Sequence, residues 1–365
     1  MNIAFFASSL VSAYWNGAAT YYRGIVRALH ARGHRVTFYE PDAFERQKHR
    51  DMDDPPWATV VVYPAQSESN ALHAVESARG ADLVVKASGV GVFDELLERA
   101  VLDLQGPDCA VAFWDVDAPA TLDRMHGNEQ DSLRALVPRY DLVLAYGGGE
   151  PVRGAYLALG ARECVPIYNA LDPSTHHPVP PEPRFKGDLG FLGNRLPDRE
   201  ARVEEFFLGA AARLPDHDFL LGGSGWEDKH LPPNVRRFGH VGTGDHNSVN
   251  CSAGAVLNVT RDDMAANGWS PATRVFEAAG AGACLITDAW EGVELFLQPD
   301  EEVLVARDGQ DVADHVRWLT PERARAVGQA ALQRVLAEHT YSRRGAEVDV
   351  LLRRELAAKR ERSLA

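Results

Sequence analysis

The sequence predicts an α/β protein made of two doubly wound domains, and three observations lead there. The chain has 365 residues, long for one hydrophobic core and comfortable for two. In both halves short apolar runs alternate with helix-length amphipathic stretches, the pattern of parallel strands joined by crossover helices. Between the halves, residues 166–183 are so rich in proline that neither helix nor strand can continue through them, which marks a seam.

The elements follow in order. Residues 3–7 are the first strand, and Tyr22, Ile25, Val26 and Leu29 recur at helical spacing until Gly33 stops the helix. The second strand, 35–39, ends at Glu40, and further strands are expected at 59–63, 83–87, 110–114 and 142–146. After the seam the alternation resumes at 188–192, 219–222, 235–238, 255–259, 284–287 and 303–305. Val327, Ala331 and Val335 mark a helix over 321–338, and a closing helix begins after Thr340-Tyr341-Ser342. The expected domains are therefore 1–172, with the closing helix 341–365 packing back on it, and 173–340.

Composition narrows the function classes. Apolar residues make up 45% and charged residues 25%, the proportions of a soluble globular protein. The net charge of −14, from 38 Lys+Arg against 52 Asp+Glu, argues against a general nucleic-acid or anionic-membrane binder. Cys109, Cys164, Cys251 and Cys284 are far apart with no metal-type pairing, so reduced thiols and a cytoplasmic location are expected. Residues 1–15 are apolar, yet no basic residue precedes Arg23, so they read as a strand rather than an export signal. No stretch reaches the ~18–20 apolar residues of a transmembrane helix. His176 and His177, beside the proline seam, are expected to be solvated, His240 has no carboxylate or thiol at ligand spacing, and no metal or other cofactor is expected.

Chemistry is expected at the carboxyl ends of the strands, where doubly wound folds bind ligands. The most telling segment is the helix beginning near Thr273, which carries Glu277 beside Ser270, Thr273 and Arg274. A Glu in the first turn would accept from ribose hydroxyls while unpaired helix amides and a cation hold phosphate. Gly193, Asn194 and Arg195 follow one strand, and the planar fork of Arg195 suits a diphosphate; an ordinary turn with a surface Arg is the plainer alternative. Gly223-Ser224 and His240-Val241 end the next two strands, where backbone groups can approach a ligand, or where glycine simply turns the chain. Asp115 and Asp117 end a strand in the first half and are expected to orient a sugar or an acceptor hydroxyl rather than hold a metal. Ser9, Tyr14, Trp15, Asn16 and Gly17 follow the first strand, and their polar-tipped aromatic faces suit a carbohydrate acceptor. That loop lacks a GxGxxG, which argues against a nicotinamide enzyme even though Glu40 sits where such domains place their ribose acceptor.

Taken together these motifs resemble the GT-B glycosyltransferases, specifically the CgeB-like (spore maturation protein) branch related to glycosyltransferase family 4. The resemblance rests on Tyr21-Tyr22-Arg23 to Gly33-His34-Arg35-Val36, Phe113-Trp114-Asp115-Val116-Asp117-Ala118-Pro119 and Asp172-Pro173-Ser174-Thr175-His176-His177-Pro178. It rests most on Leu257-Asn258-Val259-Thr260-Arg261, Arg274-Val275-Phe276-Glu277-Ala278-Ala279 and Glu338-His339-Thr340-Tyr341. It implies the GT-B architecture, two Rossmann-like domains facing across a cleft, generally without a bound metal. It implies that the second domain binds a nucleoside diphosphate sugar, with Glu277 on the ribose, Arg195 and Arg274 on the diphosphate, and Arg261 nearby. The first domain would bind a glycan or small-molecule acceptor, and transfer would retain configuration. The family's ExxxxxxxE pattern departs here: eight residues before Glu277 stands Trp269, which leaves Asp262 or Asp263 to replace the missing contact. A nucleotide-sugar epimerase and a non-catalytic nucleotide-sugar-binding protein are the alternatives on the same architecture.

Overall fold

The computed structural model describes residues 1–364; Ala365, the last residue of the expected closing helix, lies outside the described residues. The chain forms two compact units, Met1–Tyr168 with Tyr341–Ala365, and Asn169–Thr340. Among the described residues the strands make two sheets, of seven and six.

The first unit holds β1 (Asn2–Phe6), β2 (Arg35–Asp42), β3 (Thr59–Pro64), β4 (Leu83–Ala87), β5 (Ala110–Asp115), β6 (Leu142–Ala145) and β7 (Cys164–Pro166). Their order is β3-β2-β1-β4-β5-β6-β7, and every pairing is parallel. Helices cover both faces of such a sheet, so its middle strands are apolar without alternation. All of β4 and β5 is buried, whereas the edge strand β3 is mostly half-exposed. One face is an aromatic layer in which Phe5 meets Phe38, Tyr22 and Trp114 at ring separations of 5.4, 5.7 and 5.6 Å. Trp114 Nε1 donates to Tyr21 Oη at 3.0 Å, and Tyr21 Oη donates to the Ile167 carbonyl at 2.6 Å, so the buried polar tips are satisfied.

The closing helix, Tyr341–Leu364, packs on the Ala19–Ala31 helix of this unit. Gly24 makes the close approach possible: a Cβ there would lie 2.3 Å from the Tyr341 ring. His34 Nε2 meets Asp349 at 2.7 Å, and Lys359 and Arg354 reach back to Asp141 and Glu163.

The second unit holds β8 (Gly187–Leu192), β9 (Phe219–Gly222), β10 (Val235–Gly239), β11 (Ala253–Asn258), β12 (Leu285–Asp288) and β13 (Leu304–Ala306). Their order is β10-β9-β8-β11-β12-β13, again parallel throughout. Phe191, Phe207 and Phe219 centre its core.

Two details depart from the sequence reading. The first unit ends at Tyr168 rather than at residue 172, because the intervening residues bind the second unit: Leu171 donates to the His339 carbonyl at 2.8 Å and Asn169 Nδ2 to that of Pro271 at 3.4 Å. Strand β7, only three residues long, was absent from the expected elements because a run that short against the proline seam shows no periodicity.

Candidate functional site

In the second sheet the chain order reverses between β8 and β11, so the loops leaving their carboxyl ends diverge and open a crevice. A cavity of about 290 Å³ lies there, lined by Gly193, Asn194, Gly223, His240, Val241 and Arg274, all named from sequence. Arg199, Thr243 and His246 line it too, and the sequence reading missed them.

The loops that form this crevice are joined by their own backbone. Gly193 donates to the Gly222 carbonyl at 2.8 Å, Gly223 to that of Gly239 at 2.6 Å, and Trp226 Nε1 to that of Gly193 at 2.8 Å. Gly223 has φ +131°, and a Cβ on it would stand 2.1 Å from the Gly193 carbonyl oxygen, so this contact excludes any side chain. Ser224 is exposed, and its amide donates to Asn194 Oδ1 at 3.0 Å.

Arg199 and Arg274 bring two guanidiniums to the cavity, and neither makes a salt bridge among the described residues. Arg199 donates to the Asn194 carbonyl at 2.8 Å, while its Nε is buried without a partner. Burial, and then the charge of Arg274, push the Arg199 guanidinium down to about 10. Burial lowers Arg274 as well, partly offset by Glu277, and its guanidinium lies 5.5 Å from the Phe191 ring centre. Two half-buried like charges face one cavity with no salt bridge, Asp198 and Asp288 acting on Arg199 and Glu277 on Arg274 only through space, so an anion there is favoured. The Thr273–Gly280 helix starts beside them with Ala272 at its N-cap, which has no side chain to bond the first amides.

Several sequence-derived roles need correction. Arg195 does not line the cavity; Glu200 at 2.6 Å and Asp228 at 2.8 Å hold its guanidinium. Arg261 is likewise paired, with Asp198. Glu277 is one turn into its helix rather than in the first turn, which contains no acid. Its Oε1 lies 3.9 Å from Nε2 of the buried His176. Ser270 is buried and Thr273 half-buried at the same helix start. Trp269 is a non-glycine residue at φ +43°, its ring against Gly292, while Asp262 and Asp263 are exposed on the Asp262–Asn267 helix.

In the first unit the chain order reverses between β1 and β4, and there too the structure divides the predicted residues. Ser9 Oγ donates to Glu40 at 3.0 Å, and Asn16 is buried, accepting from Ser8 and donating to the Ser9 and Ser12 carbonyls. Both therefore build the loop rather than face a ligand, and Glu40 is consumed holding it, accepting the Leu10 amide at 2.6 Å. Tyr14, Trp15 and Gly17 are exposed, with Tyr14 stacked on His49 at 4.0 Å. Asp115 is fully buried and accepts from Ser88 Oγ, Thr121 Oγ1, the Asp117 amide and Tyr156 Oη at 2.5–3.0 Å. With both oxygens so engaged it shapes the strand end and cannot bind an acceptor directly. Asp117 occupies the N-cap position of the Ala118–Gly127 helix and is half-buried.

Residues 199–349 match a protein-family model described as glycosyl transferase-like. No curated protein matches the sequence. Among solved structures the chain is similar to sucrose-phosphate synthase from Thermosynechococcus elongatus, with 16% identity and a TM-score of 0.72 over 98% of this chain and 100% of that one. Anabaena HepE in complex with UDP and glucose follows at 14% identity and TM-score 0.68, over 96% and 99% of the two chains. An E. coli structure described as trehalose-6-phosphate bound with UDP-2-fluoro glucose has 10% identity and TM-score 0.67, also over 96% and 99%. The chain thus has the GT-B fold of glycosyltransferases. No helix among the described residues is long and apolar enough to cross a membrane.

Proposed function

We propose that this protein is a glycosyltransferase whose second unit binds a nucleoside diphosphate sugar, with a uridine nucleotide the first to test. One observation carries the reading: Arg199 and Arg274, without salt bridges, converge on a cavity beside an uncapped helix start. That arrangement suits a diphosphate, since two cationic forks and free amides all favour negative charge. Glu277, a turn further along, is the acceptor for ribose hydroxyls, and backbone at His240 and Val241 borders the base. UDP or a UDP sugar bound to HepE and to the E. coli protein supports uridine as the base.

In this mechanism Arg199 and Arg274 stabilise the leaving diphosphate as its charge develops, which is electrostatic catalysis. Arg195 acts indirectly, tying the 193–199 loop to Asp228 and Glu200. Retention of configuration suits the saturation of Asp115, because a reaction that uses the leaving diphosphate as base needs no free protein carboxylate. Asp117 then orients a hydroxyl-bearing acceptor, with Tyr14 and Trp15 offering apolar faces to a sugar ring. A cytoplasmic location belongs to the same proposal.

The test is thermal stabilisation against UDP, GDP, dTDP, ADP and CMP, followed by their sugar conjugates. A nucleotide at ~100 times its dissociation constant adds about 2.7 kcal/mol. One nucleoside diphosphate is expected to stand out and to lose its effect in Arg199→Ala. A flat response to all five contradicts the donor site.

A further inference from the structure

Beside the nucleotide cavity, three side chains come together for which the donor reading gives only Glu277 a task. His176, His246 and Glu277 each offer one ligand-type atom, and these atoms all lie within 4.8 Å of one another. They come from distant parts of the chain: the proline seam, the helix His246–Ser252, and the helix Thr273–Gly280.

The hydrogen bonding of His176 decides what its ring presents. A turn at Asp172 fixes the ring, with the Thr175 and His176 amides donating to the Asp172 carbonyl at 3.1 and 3.0 Å. The Thr175 hydroxyl oxygen lies 3.1 Å from that carbonyl oxygen and 3.0 Å from His176 Nδ1, so it holds the ring by its Nδ1 side. In the tautomer with its hydrogen on Nδ1, where the Thr175 oxygen can accept it, Nε2 presents a lone pair. His176 is 4% exposed, and its Nε2 is buried with no hydrogen-bond partner. His176 Nε2 lies 3.9 Å from Glu277 Oε1. A cation between an imidazole lone pair and a carboxylate satisfies both. The backbone of Val241 bonds the His246 ring, and Thr175 bonds His176 at Nδ1. Each metal-binding imidazole ordinarily has such a second partner on its other nitrogen.

We propose that His176 Nε2, His246 and the Glu277 carboxylate bind a zinc-class divalent cation, and that this cation and the nucleotide exclude one another. Two imidazoles and one carboxylate form a ligand set for Zn²⁺, Co²⁺ or Ni²⁺ rather than for Mg²⁺, which prefers oxygen. Donors that start within 4.8 Å need to close only slightly around bonds of about 2.0–2.2 Å. Because Glu277 is the proposed ribose acceptor, the metal withdraws it from the donor; this exclusion rests on the functional reading above, while the metal site itself does not. The device makes donor binding sensitive to free transition metal.

Cobalt reports the site directly, since a four-coordinate Co²⁺ centre absorbs in the visible. The full chain is titrated with Co²⁺ without nucleotide, then with UDP, alongside His176→Gln and His246→Gln, each checked by circular dichroism for native folding. One saturable Co²⁺ per chain is expected in the wild type, lost in either folded variant. UDP should reverse it, with the apparent UDP dissociation constant rising on the order of tenfold at saturating Co²⁺, as reciprocal linkage requires. Absence of a saturable cobalt spectrum, or its survival in both variants, overturns the site. UDP that binds equally well with and without Co²⁺ overturns the exclusion. Cobalt binding without any UDP binding supports the metal site and instead contradicts the nucleotide reading.

Discussion

Arg199 and Arg274 are half-buried charges that the protein opposes through space but does not pair in a salt bridge. Because burial and its neighbour depress Arg199 to about 10, the charged form is held at a cost in the unliganded protein. The Arg199→Met variant is therefore expected to melt at a higher temperature than wild type while losing the UDP-dependent shift, the trade between stability and function seen at binding sites. An unchanged melting temperature together with intact UDP binding would remove Arg199 from the site. Arg195→Ala makes the contrasting case, since Glu200 and Asp228 already neutralise that residue. Its UDP affinity should stay within about threefold of wild type, whereas Arg274→Ala should lower transfer by about 10²–10³ if Arg274 stabilises the leaving group. At this scale the sequence was legible in types and illegible in partners. Gly193, Gly223 and Arg274 were identified because strand ends and helix starts are visible in the pattern. Arg199 and Arg195 are four residues apart on one loop, and only the positions of Glu200 and Asp228 decide which of them faces the cavity. Ser9 and Asn16 were misread for the same reason: a polar residue in a strand-end loop serves a ligand or the loop itself, and here Glu40, from another strand, holds Ser9 while Ser8 and the Ser9 and Ser12 carbonyls hold Asn16.

Among the elements, the Tyr341–Leu364 helix depends on two contacts that can be tested apart. Gly24→Ala puts a methyl 2.3 Å from the Tyr341 ring, so the helix must shift, at about 1–3 kcal/mol for overpacking. A lower melting temperature and faster amide exchange in 341–364 are expected; wild-type exchange would show that the helix is not tightly docked there. The His34–Asp349 contact adds a pH dependence. Burial lowers His34 below its ordinary 6.5, outweighing the Asp349 hydrogen bond. A base whose folded value is depressed binds fewer protons folded than unfolded, so stability rises with pH through the window just below 6.5. Acidification should loosen the helix there, and His34→Gln should flatten that part of the profile. Elements were the most legible scale: the central strands are continuous apolar runs and the helices are periodic. Strand β7 escaped because three residues carry no period, and β2 runs on to Asp42 through a proline that the pattern alone treats as an end.

For the whole molecule, two parallel sheets each turn at a switch point, β1 beside β4 and β8 beside β11, and the second has its cavity at the strand ends there. The alternation of elements made this architecture readable from the chain, whereas the unit boundary was not, because Leu171 and Asn169 choose their side through hydrogen bonds made far along the sequence. The central claim is that the crevice of the second unit is a nucleotide-sugar donor site with Glu277 on the ribose. Calorimetric titration of UDP into metal-free wild type and Glu277→Gln tests it most directly. The account predicts saturable one-to-one binding in the wild type and at least about tenfold weaker binding in the folded variant, the loss of a hydrogen-bonded carboxylate. No UDP binding by the wild type, or equal affinity in both proteins, would contradict it.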